Sequence, residues 1–248
     1  MKQKRDYNKE YKDTSDHKYA YHFDNLMRRY MMQTFTPYIK NNKGRALEMG
    51  CFKGEFTEIL TTYFDNITVI EASDELVAYT KKRVSKKVKF VCSTFETYSS
   101  KEKFDYIFLM HTLEHLDNPK EVLKKVSSWL SDDGALYLVC PNANAPSRQI
   151  AVKMGLISHN AAVTLSEKEH GHRKTYSLDT LEEEITHTGL TVTNRGGIFF
   201  KPLANFQFDK LINTKILTQA FLDGCYKLGM TYPDLCASIY LVCKKENK

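Results

Sequence analysis

The sequence predicts an α/β fold built around a mostly parallel β-sheet. Short apolar runs alternate with helical patterns at the spacing expected for βαβ units. One of these runs, FDYIFLM (104–110), is almost continuously apolar, which is typical of a strand buried on both faces of a sheet. The chain has 248 residues, a length that single α/β domains often reach, so we expect one domain over residues 1–248.

The N-terminal stretch predicts a flexible segment followed by a helix. Residues 1–18 are polar and mixed in charge, so we expect them to become ordered only when they fold over a ligand. Residues 19–40 carry apolar side chains at helical spacing, which predicts a helix that ends near Pro37. Because this helix leads into the first strand, we expect it to act as a lid.

Strands and helices then alternate through the middle of the chain. The predicted strands are 45–50, 67–73, 88–92, 104–110 and 135–140, and the predicted helices are 55–64, 74–84 and 119–130. Ser73 or Asp74 is expected to cap the second of these helices, and Pro119 suits the first turn of the third. Asp133 and Gly134 predict a turn before the last strand of this series.

The last third of the sequence is less regular. Its predicted elements are a short helix around 147–154, a helix at 178–188, a strand at 190–194, a turn at Gly196–Gly197, a helix-rich stretch at 205–229 and a strand at 236–245. Residues 141–176 form a long connection, and connections of this length in compact domains usually serve a function.

The composition excludes several classes of function. A formal net charge of +6 without a long basic block argues against nucleic acid as a partner. No apolar run is long enough for a transmembrane helix and no signal-peptide core follows the first charges, so we expect a cytoplasmic protein without membrane insertion. The six cysteines include no C-x-x-C pair, so we expect buried, reduced thiols and no cysteine zinc site.

Two glycines separate the first predicted strand from its helix in ALEMGCFKGEFT (46–57). Without a Cβ, Gly50 and Gly54 let the backbone turn tightly and approach a ligand, and ligands bind beyond the carboxyl ends of parallel strands. The G-x-x-x-G spacing differs from the G-x-G-x-x-G of dinucleotide folds. Glu48 beside the loop would repel a pyrophosphate but suits a cationic or amino ligand. A purely structural turn is the alternative.

Two further segments follow strands at the same edge of the sheet. Glu71 closes the second strand, where a carboxylate can accept both hydroxyls of a ribose, the alternative being a solvated side chain. HTLEHLDNP (111–119) contains H-x-x-E-H, a metallopeptidase pattern that requires both imidazoles on one helical face. Here the pattern directly follows a strand, so we expect a loop that lines a ligand site, and no metal.

Together these features resemble the class I S-adenosylmethionine-dependent methyltransferases. The shared motifs are E-x-G-x-x-x-G at 48–54, the acidic Glu71, and LEH at 113–115 followed by Pro119, which is typical of a small-molecule subgroup. Residues 171–185 also resemble that subgroup. The segment GGIFFKPLANFQFD (196–209) and the N-terminal helix are similar to methyltransferases of bacterial surface-polysaccharide gene clusters.

The resemblance implies a Rossmann-like fold with a seven-stranded, mostly parallel sheet of order 3-2-1-4-5-7-6, helices on both faces and a partly helical cap over the acceptor. It implies S-adenosylmethionine as cofactor, S-adenosylhomocysteine as product, and no metal. Glu48 and Gly50 would hold the methionine amino group. The other implied cofactor contacts are Cys51, Phe52, Gly54, Glu71, Ala72, Ser73, Thr94, Phe95 and His111. Thr94 departs from the acidic residue of many relatives, so we expect a weaker or backbone-mediated adenine contact there.

For the acceptor, the resemblance implies O-methylation of a small molecule, either a sugar nucleotide or a phosphorylated precursor of capsule or lipopolysaccharide, by a monomer or homodimer. His115 is the implied general base, with His170 and His172 as rivals. Arg173, Lys174 and Tyr176 are candidates for holding an anionic group of the acceptor. Acceptor selectivity is expected in residues 141–176 and 199–232. The alternatives are an NAD(P)-dependent oxidoreductase and a non-catalytic methyltransferase-like binding module.

Overall fold

The computed structural model describes residues 5–9, 22–40, 43–84, 88–212 and 214–246. The strands in these ranges are β1 (Arg45–Met49), β2 (Asn66–Glu71), β3 (Val88–Cys92), β4 (Phe104–Met110), β5 (Leu130–Pro141), β6 (Leu190–Phe200) and β7 (Cys236–Lys245). The helices are α1 (His22–Phe35), α2 (Glu55–Tyr63), α3 (Asp74–Arg83), α4 (Pro119–Trp129), α5 (Pro146–Lys153), α6 (Leu165–Glu169), α7 (Leu178–Ile185), α8 (Asn205–Ile212) and α9 (Gln219–Thr231). None of these helices is both long and apolar enough to cross a lipid bilayer.

The seven strands form one sheet in the order β3-β2-β1-β4-β5-β7-β6. The first five strands pair in parallel, while β7 runs antiparallel between β5 and β6. The predicted fold class and the predicted strand order are therefore confirmed. Because the carboxyl ends of β1 to β5 meet at one edge, the loops that follow these strands lie side by side.

Apolar side chains cover both faces of the sheet. Residues of α1, α2, α8 and α9 form an aromatic-rich core against one face, and residues of α4 and α7 form the core on the other. Neighbouring residues of β4 alternate between the two, with Ile107 in one core and Phe108 in the other. This explains the continuous apolar run in the sequence of β4.

One of the two predicted turns is wrong. β6 continues through Gly196 and Gly197 in unbroken register with β7. At Asp133 and Gly134 the chain bulges, because the pairing of β5 jumps from Leu130 to Ala135 while β4 advances only from Phe104 to Tyr106. A Cβ on Gly134 would lie 2.6 Å from the backbone oxygen of Phe104, and one on Gly197 would lie 2.3 Å from that of Pro233. These glycines permit close approach of two backbones within or beside the sheet, which has the same sequence signature as a tight turn.

Other predictions differ from the structure in detail. Cys92 is exposed, although the other five cysteines are buried as expected, because Cys92 ends the edge strand β3. The helix expected at 178–188 ends at Ile185, and α6 in the long connection was not predicted. The predicted start of the first helix, and most of the segment expected to be flexible, lie outside the described residues.

Candidate active site

A glycine-bearing loop turns from β1 into α2 at the carboxyl edge of the sheet. Gly50 and Gly54 have φ angles of +83° and +86°, in the left-handed region that favours glycine. A Cβ on Gly54 would come within 2.6 Å of the Thr80 Cγ2 atom, so α2 and α3 pack too closely for any other residue. Phe52 also adopts a positive φ of 47°, which keeps the loop tightly curved.

The Glu71 carboxylate joins this loop to the end of β2. Its two oxygens accept hydrogen bonds from the backbone nitrogens of Cys51 (3.1 Å) and Ser73 (2.9 Å). Burial raises the pKa of Glu71, and these backbone donors oppose that effect. Hydroxyl groups that bind to Glu71 would share its oxygens with these backbone donors.

Glu48 lies beneath the loop and is almost completely buried, with a 2% exposed surface. Its Oε2 atom accepts a hydrogen bond from the Thr57 hydroxyl at 2.6 Å. Burial raises the pKa of Glu48 to about 8, and the nearby Arg28 guanidinium counteracts part of this rise. Glu48 is therefore mainly protonated at neutral pH until a positively charged partner arrives.

Arg28 is a residue of this site that sequence reasoning missed. It projects from α1, donates to the Asn25 Oδ1 atom at 2.8 Å, and acts electrostatically on both Glu48 and His111. The sequence contained one indication of this residue, because Arg28 directly follows Met27, which is buried on the apolar face of α1. The structure thus adds a cation next to the buried carboxyl of Glu48.

The residues expected near adenine lie in the loops after β2 and β3. The Ser73 hydroxyl accepts a hydrogen bond from the Leu76 nitrogen at 3.1 Å and so caps α3, and Ala72 precedes it. Phe95 is buried, and its ring would lie 3.7 Å from a Cβ on Gly50. The half-buried Thr94 shares a hydrogen bond of 2.9 Å with the Thr97 hydroxyl. These residues therefore border one side of the glycine-bearing loop.

His111 leaves β4 with a positive φ of 49° and is tied to its neighbours. Its backbone nitrogen donates to Val139 at 2.9 Å, and its Nε2 atom lies 2.9 Å from the Ser238 hydroxyl. Burial lowers the pKa of His111 to about 3, so the ring is neutral at neutral pH. Cys51, the predicted cofactor contact in the loop after β1, is buried. Burial raises the pKa of its thiol far above the ordinary value.

Two of the three predicted catalytic histidines come together. His115 ends a 3₁₀ turn (Leu113–His115), and its ring lies 4.6 Å from the ring of His172, centroid to centroid, at an angle of 76°. Burial lowers the pKa of both imidazoles, to about 4 for His172, so both are neutral at neutral pH. His170 instead lies at the end of α6, where its Nδ1 atom is 3.5 Å from the Ser166 hydroxyl.

The three residues expected to hold an anionic acceptor group line one surface cleft beside this turn. Arg173 contacts Asp117 (3.2 Å), and the Lys174 ammonium forms an ion pair with Glu184. Tyr176 is only 1% exposed and packs in the core below. Because each cation already has a carboxylate partner, a phosphate would have to compete for it, and their role remains a prediction.

The described part of the N-terminal segment crosses the mouth of the site. Arg5 donates from Nη1 to the backbone oxygen of His115 at 2.9 Å. Asn8 accepts a hydrogen bond from the Ser73 hydroxyl at 2.6 Å and donates to Asp74 at 2.7 Å. Residues 5–9 therefore bridge the loop after β2 and the turn after β4.

Lys201, Asn205 and Asp24 form a polar group between α1 and α8 that the sequence did not predict. Lys201 donates to Asn205 Oδ1 at 2.5 Å, and Asn205 donates to Asp24 at 3.2 Å. Burial raises the pKa of Asp24 to about 6 and lowers that of Lys201 to about 8. The charge of this group therefore varies close to neutral pH.

The strand order and the loop after β1 define a Rossmann-like fold of the methyltransferase type. Residues 19–194 match a family model described as "Methyltransferase domain". This range covers most of the chain, and the chain belongs to the methyltransferase-domain family.

Curated relatives match part of the chain. The Ubiquinone biosynthesis O-methyltransferase of Rhodopseudomonas palustris (strain BisB5) is 26% identical over 164 residues, which are 65% of this chain and 64% of the relative. The Malonyl-[acyl-carrier protein] O-methyltransferase of Bacillus anthracis is 34% identical over 102 residues, 40% of this chain and 38% of the relative. The chain thus spans less than two thirds of the length of these relatives.

Solved structures match almost the whole chain at low identity. The plantazolicin methyltransferase BpumL in complex with SAH has a TM-score of 0.62 at 19% identity, covering 95% of this chain and 90% of that one. The N-methyltransferase NodS from Bradyrhizobium japonicum WM9, also with S-adenosyl-L-homocysteine, has a TM-score of 0.57 at 14% identity, covering 93% and 91%. At these identities the likeness establishes the fold alone.

Proposed function

We propose that this chain transfers the methyl group of S-adenosylmethionine to a small-molecule acceptor. The observation that carries the proposal is the left-handed loop at Gly50 and Gly54, held against the Glu71 carboxylate at the carboxyl edge of the sheet. This arrangement offers a close backbone approach and an acceptor for ribose hydroxyls in one place.

The charges beside the loop complement the methionine part of the cofactor. That part carries an ammonium and a carboxylate, and the site offers the Glu48 carboxyl and the Arg28 guanidinium, which acts electrostatically on it. We assign Glu48 to the ammonium and Arg28 to the carboxylate. Glu71 takes the ribose. The remaining contacts, with the adenine and the loop, fall to Cys51, Phe52, Ala72, Ser73, Thr94, Phe95 and His111.

The chemistry needs alignment more than activation, because the sulfonium already carries a good leaving group. Methyl transfer is an in-line displacement, and the chain has to bring the acceptor atom close and in line. A hydroxyl acceptor also has to lose its proton. The neutral imidazoles of His115 and His172, which contact each other after β4, support a general-base role for one of them, with His170 as the more distant rival.

For the acceptor we propose a hydroxyl of a sugar nucleotide or of a phosphorylated precursor of capsule or lipopolysaccharide, methylated in the cytoplasm. This part rests on the resemblance of residues 19–35 and 196–209 to enzymes of such gene clusters. Arg173, Lys174 and the buried Tyr176 would meet the phosphate or carboxylate in the cleft beside Asp117.

A mass-spectrometric screen tests the proposed function. The protein is incubated with S-adenosylmethionine and pools of nucleotide-linked and phosphorylated metabolites, and we expect one of these to gain a methyl group. Replacing a general base should reduce turnover by about 10²–10⁴-fold. His115→Ala or His172→Ala should show this loss with normal S-adenosylhomocysteine binding, while the exposed His187→Asn, outside the segments expected to select the acceptor, serves as control. Methylation of no member of these pools, with cofactor bound, would contradict the assigned acceptor class.

A further inference from the structure

We propose that Glu114, His115 and His172 form a binding site for one divalent transition-metal ion, of the kind represented by Zn²⁺ or Mn²⁺. The three side chains each direct one ligand atom toward the others, and these atoms all lie within 4.8 Å of one another. Ion binding as such is independent of the proposed function. The catalytic role given to the ion below rests on that function.

The spacing suits a single ion. Zinc bonds to imidazole nitrogen and carboxylate oxygen are about 2.0–2.2 Å long, so two ligand atoms of one tetrahedral ion lie about 3.4 Å apart. The ligand atoms here lie within 4.8 Å of one another, so side-chain rotations have to bring them closer by up to about 1.4 Å when an ion binds.

An independent observation points to a cation at this site. Glu114 is 1% exposed, and in the part of the chain that the structure describes neither of its carboxylate oxygens has a hydrogen bond of normal geometry. The donors nearest to this carboxyl group are its own backbone N–H and the Cys140 thiol, which is a weak donor. Buried carboxyl groups in proteins are normally paired, hydrogen-bonded or bound to a metal. A cation held with the two imidazoles would satisfy both oxygens of Glu114.

The backbone holds the ligands from two distant segments together. The nitrogen of Arg173 donates to the backbone oxygen of Glu114 at 2.7 Å, which fixes the segment of His172 against the turn of His115. The nitrogen of His172 donates in turn to Glu167 at 2.9 Å. This support comes from main-chain hydrogen bonds.

The ligand set favours a transition metal over magnesium. Two imidazoles and one carboxylate are ligands that Zn²⁺, Mn²⁺ and Fe²⁺ accept, whereas Mg²⁺ prefers oxygen ligands. Three protein ligands also leave at least one coordination position open, as in catalytic zinc sites. The guanidinium groups of Arg5 and Arg173 act on His115 and oppose a nearby cation, and the Asp117 carboxylate beside Arg173 reduces that effect.

The open position gives the ion a role in methyl transfer. Held by Glu114, His115 and His172, the ion would lower the pKa of an acceptor hydroxyl, which would give its proton to solvent before its oxygen bonds to the methyl carbon. The bond between carbon and sulfur breaks, and its electron pair stays on sulfur as the neutral thioether of S-adenosylhomocysteine. A nitrogen bonded to the ion cannot accept a proton, so in this mechanism the ion replaces a histidine base.

Metal titration of the chelator-treated protein tests the site. Wild type, Glu114→Gln, His172→Asn and the control His159→Gln are titrated with Zn²⁺, Mn²⁺, Co²⁺ and Mg²⁺. We expect one ion per wild-type chain. Both ligand variants should bind at least about 100-fold more weakly, since loss of an outer-shell partner alone already costs about 10–100-fold. The Co²⁺ absorption spectrum of wild type should show a site of low coordination number.

S-adenosylhomocysteine affinity, measured on the same samples, separates this inference from the proposed function. Normal affinity in Glu114→Gln together with lost metal binding supports the metal site and shows that the variant is folded. The site is refuted if wild type binds no ion saturably, if Glu114→Gln and His172→Asn bind as well as His159→Gln, or if Mg²⁺ alone binds. Metal binding without any cofactor affinity would instead contradict the proposed function while supporting the metal site. If Glu114→Gln does not fold, His172→Asn and the Co²⁺ spectrum decide the question.

Discussion

Three carboxyl groups lie buried at the carboxyl edge of the sheet, and burial raises the pKa of each: Glu48, Glu71 and Glu114. A buried carboxyl group is stable in its neutral form, and a donor or cation is needed to favour the charged form. Under the assignments made above, the three meet an ammonium, a pair of hydroxyls and a metal ion. Ligand binding and proton release should therefore be linked in this site.

Glu48 gives the clearest test of that linkage. Its pKa of about 8 without ligand means that it holds a proton at pH 6 to 7, and pairing with an ammonium favours the charged form. Binding of S-adenosylhomocysteine should therefore release a proton, and affinity should rise with pH between about 6 and 8, by up to about tenfold per pH unit. Calorimetry in buffers of different ionisation enthalpy measures this release. The rise should be absent in Glu48→Gln, and a flat profile in wild type would contradict the assignment.

Replacing Glu71 should weaken cofactor binding, both because a charged acceptor is lost and because the new amide NH2 faces one of the backbone nitrogens of the loop. Glu71→Gln keeps the shape of the side chain but removes a charged acceptor of hydroxyl groups, which should cost about 1.5–3 kcal/mol of binding free energy. The exposed Glu96→Gln, in the loop after β3, is the matched control. Unchanged S-adenosylhomocysteine affinity in Glu71→Gln would remove Glu71 from the site.

The role of Arg28 can be tested against Arg29, its exposed neighbour on α1, as a matched control. Arg28→Gln should weaken S-adenosylhomocysteine by about 1.5–3 kcal/mol, because it loses a charged partner of the carboxylate, whereas the exposed Arg29→Gln should not. Adenosine lacks the methionine part, so its affinity should be the same in both variants. An equal loss of adenosine affinity would show that Arg28 acts on the fold and not on the carboxylate.

Among the helices and strands, periodic segments were predicted well, whereas the glycine pair Gly196–Gly197 was not. The strands β1 to β4 and the helix α4 were found near their predicted bounds because each combines a strong apolar pattern with a clear boundary. Gly197 misled the prediction because a tight turn and a close backbone approach both require the absence of a Cβ, whereas Gly134 lies where the register of β5 breaks. Only the three-dimensional neighbours distinguish the two cases.

The loop before α2 should also depend on the absence of a Cβ at Gly54 for its stability. In Gly54→Ala the new Cβ meets Thr80 at 2.6 Å and the φ angle of +86° is strained, so we expect a loss of about 2–4 kcal/mol in the free energy of unfolding. Gly155→Ala has a similar positive φ of +72° but open space around it, so its loss should stay near 1–2 kcal/mol. Denaturant unfolding compares the two variants, and equal losses would show that the packing of α2 on α3 is not limiting.

The N-terminal segment provides a further test at this scale. Residues 5–9 contact both the turn of His115 and the loop of Ser73, so we propose that the segment closes over the bound cofactor. Deleting residues 1–16 should speed the dissociation of S-adenosylhomocysteine while the thermal stability of the remaining chain stays close to that of wild type. Stopped-flow displacement measures this rate, and an unchanged rate would refute the lid.

Over the whole molecule, the cofactor side of the site was more predictable than the acceptor side. Glu48, Gly50 and Gly54 lie within one short motif, and Glu71 follows at the end of the next strand, so their order along the chain already indicates their neighbourhood. Arg28 and Lys201 lie outside any such motif, and Glu114 lies in the H-x-x-E-H segment, which the sequence indicated only as a loop. The neighbours of these three residues follow from the packing of distant elements. The cofactor-motif residues can be recognised from the local sequence pattern, whereas the contacts of the other three residues require the tertiary structure.

The central claim is that the loop after β1 and the Glu71 carboxylate bind S-adenosylmethionine and not a dinucleotide. Calorimetric titration of the purified protein with S-adenosylhomocysteine and, separately, with NAD⁺ and NADP⁺ tests it most directly. We predict saturable binding of one S-adenosylhomocysteine per chain, weakened in Glu71→Gln, and no saturable binding of either dinucleotide. Saturable dinucleotide binding, or no binding of S-adenosylhomocysteine to folded wild-type protein, would contradict the account.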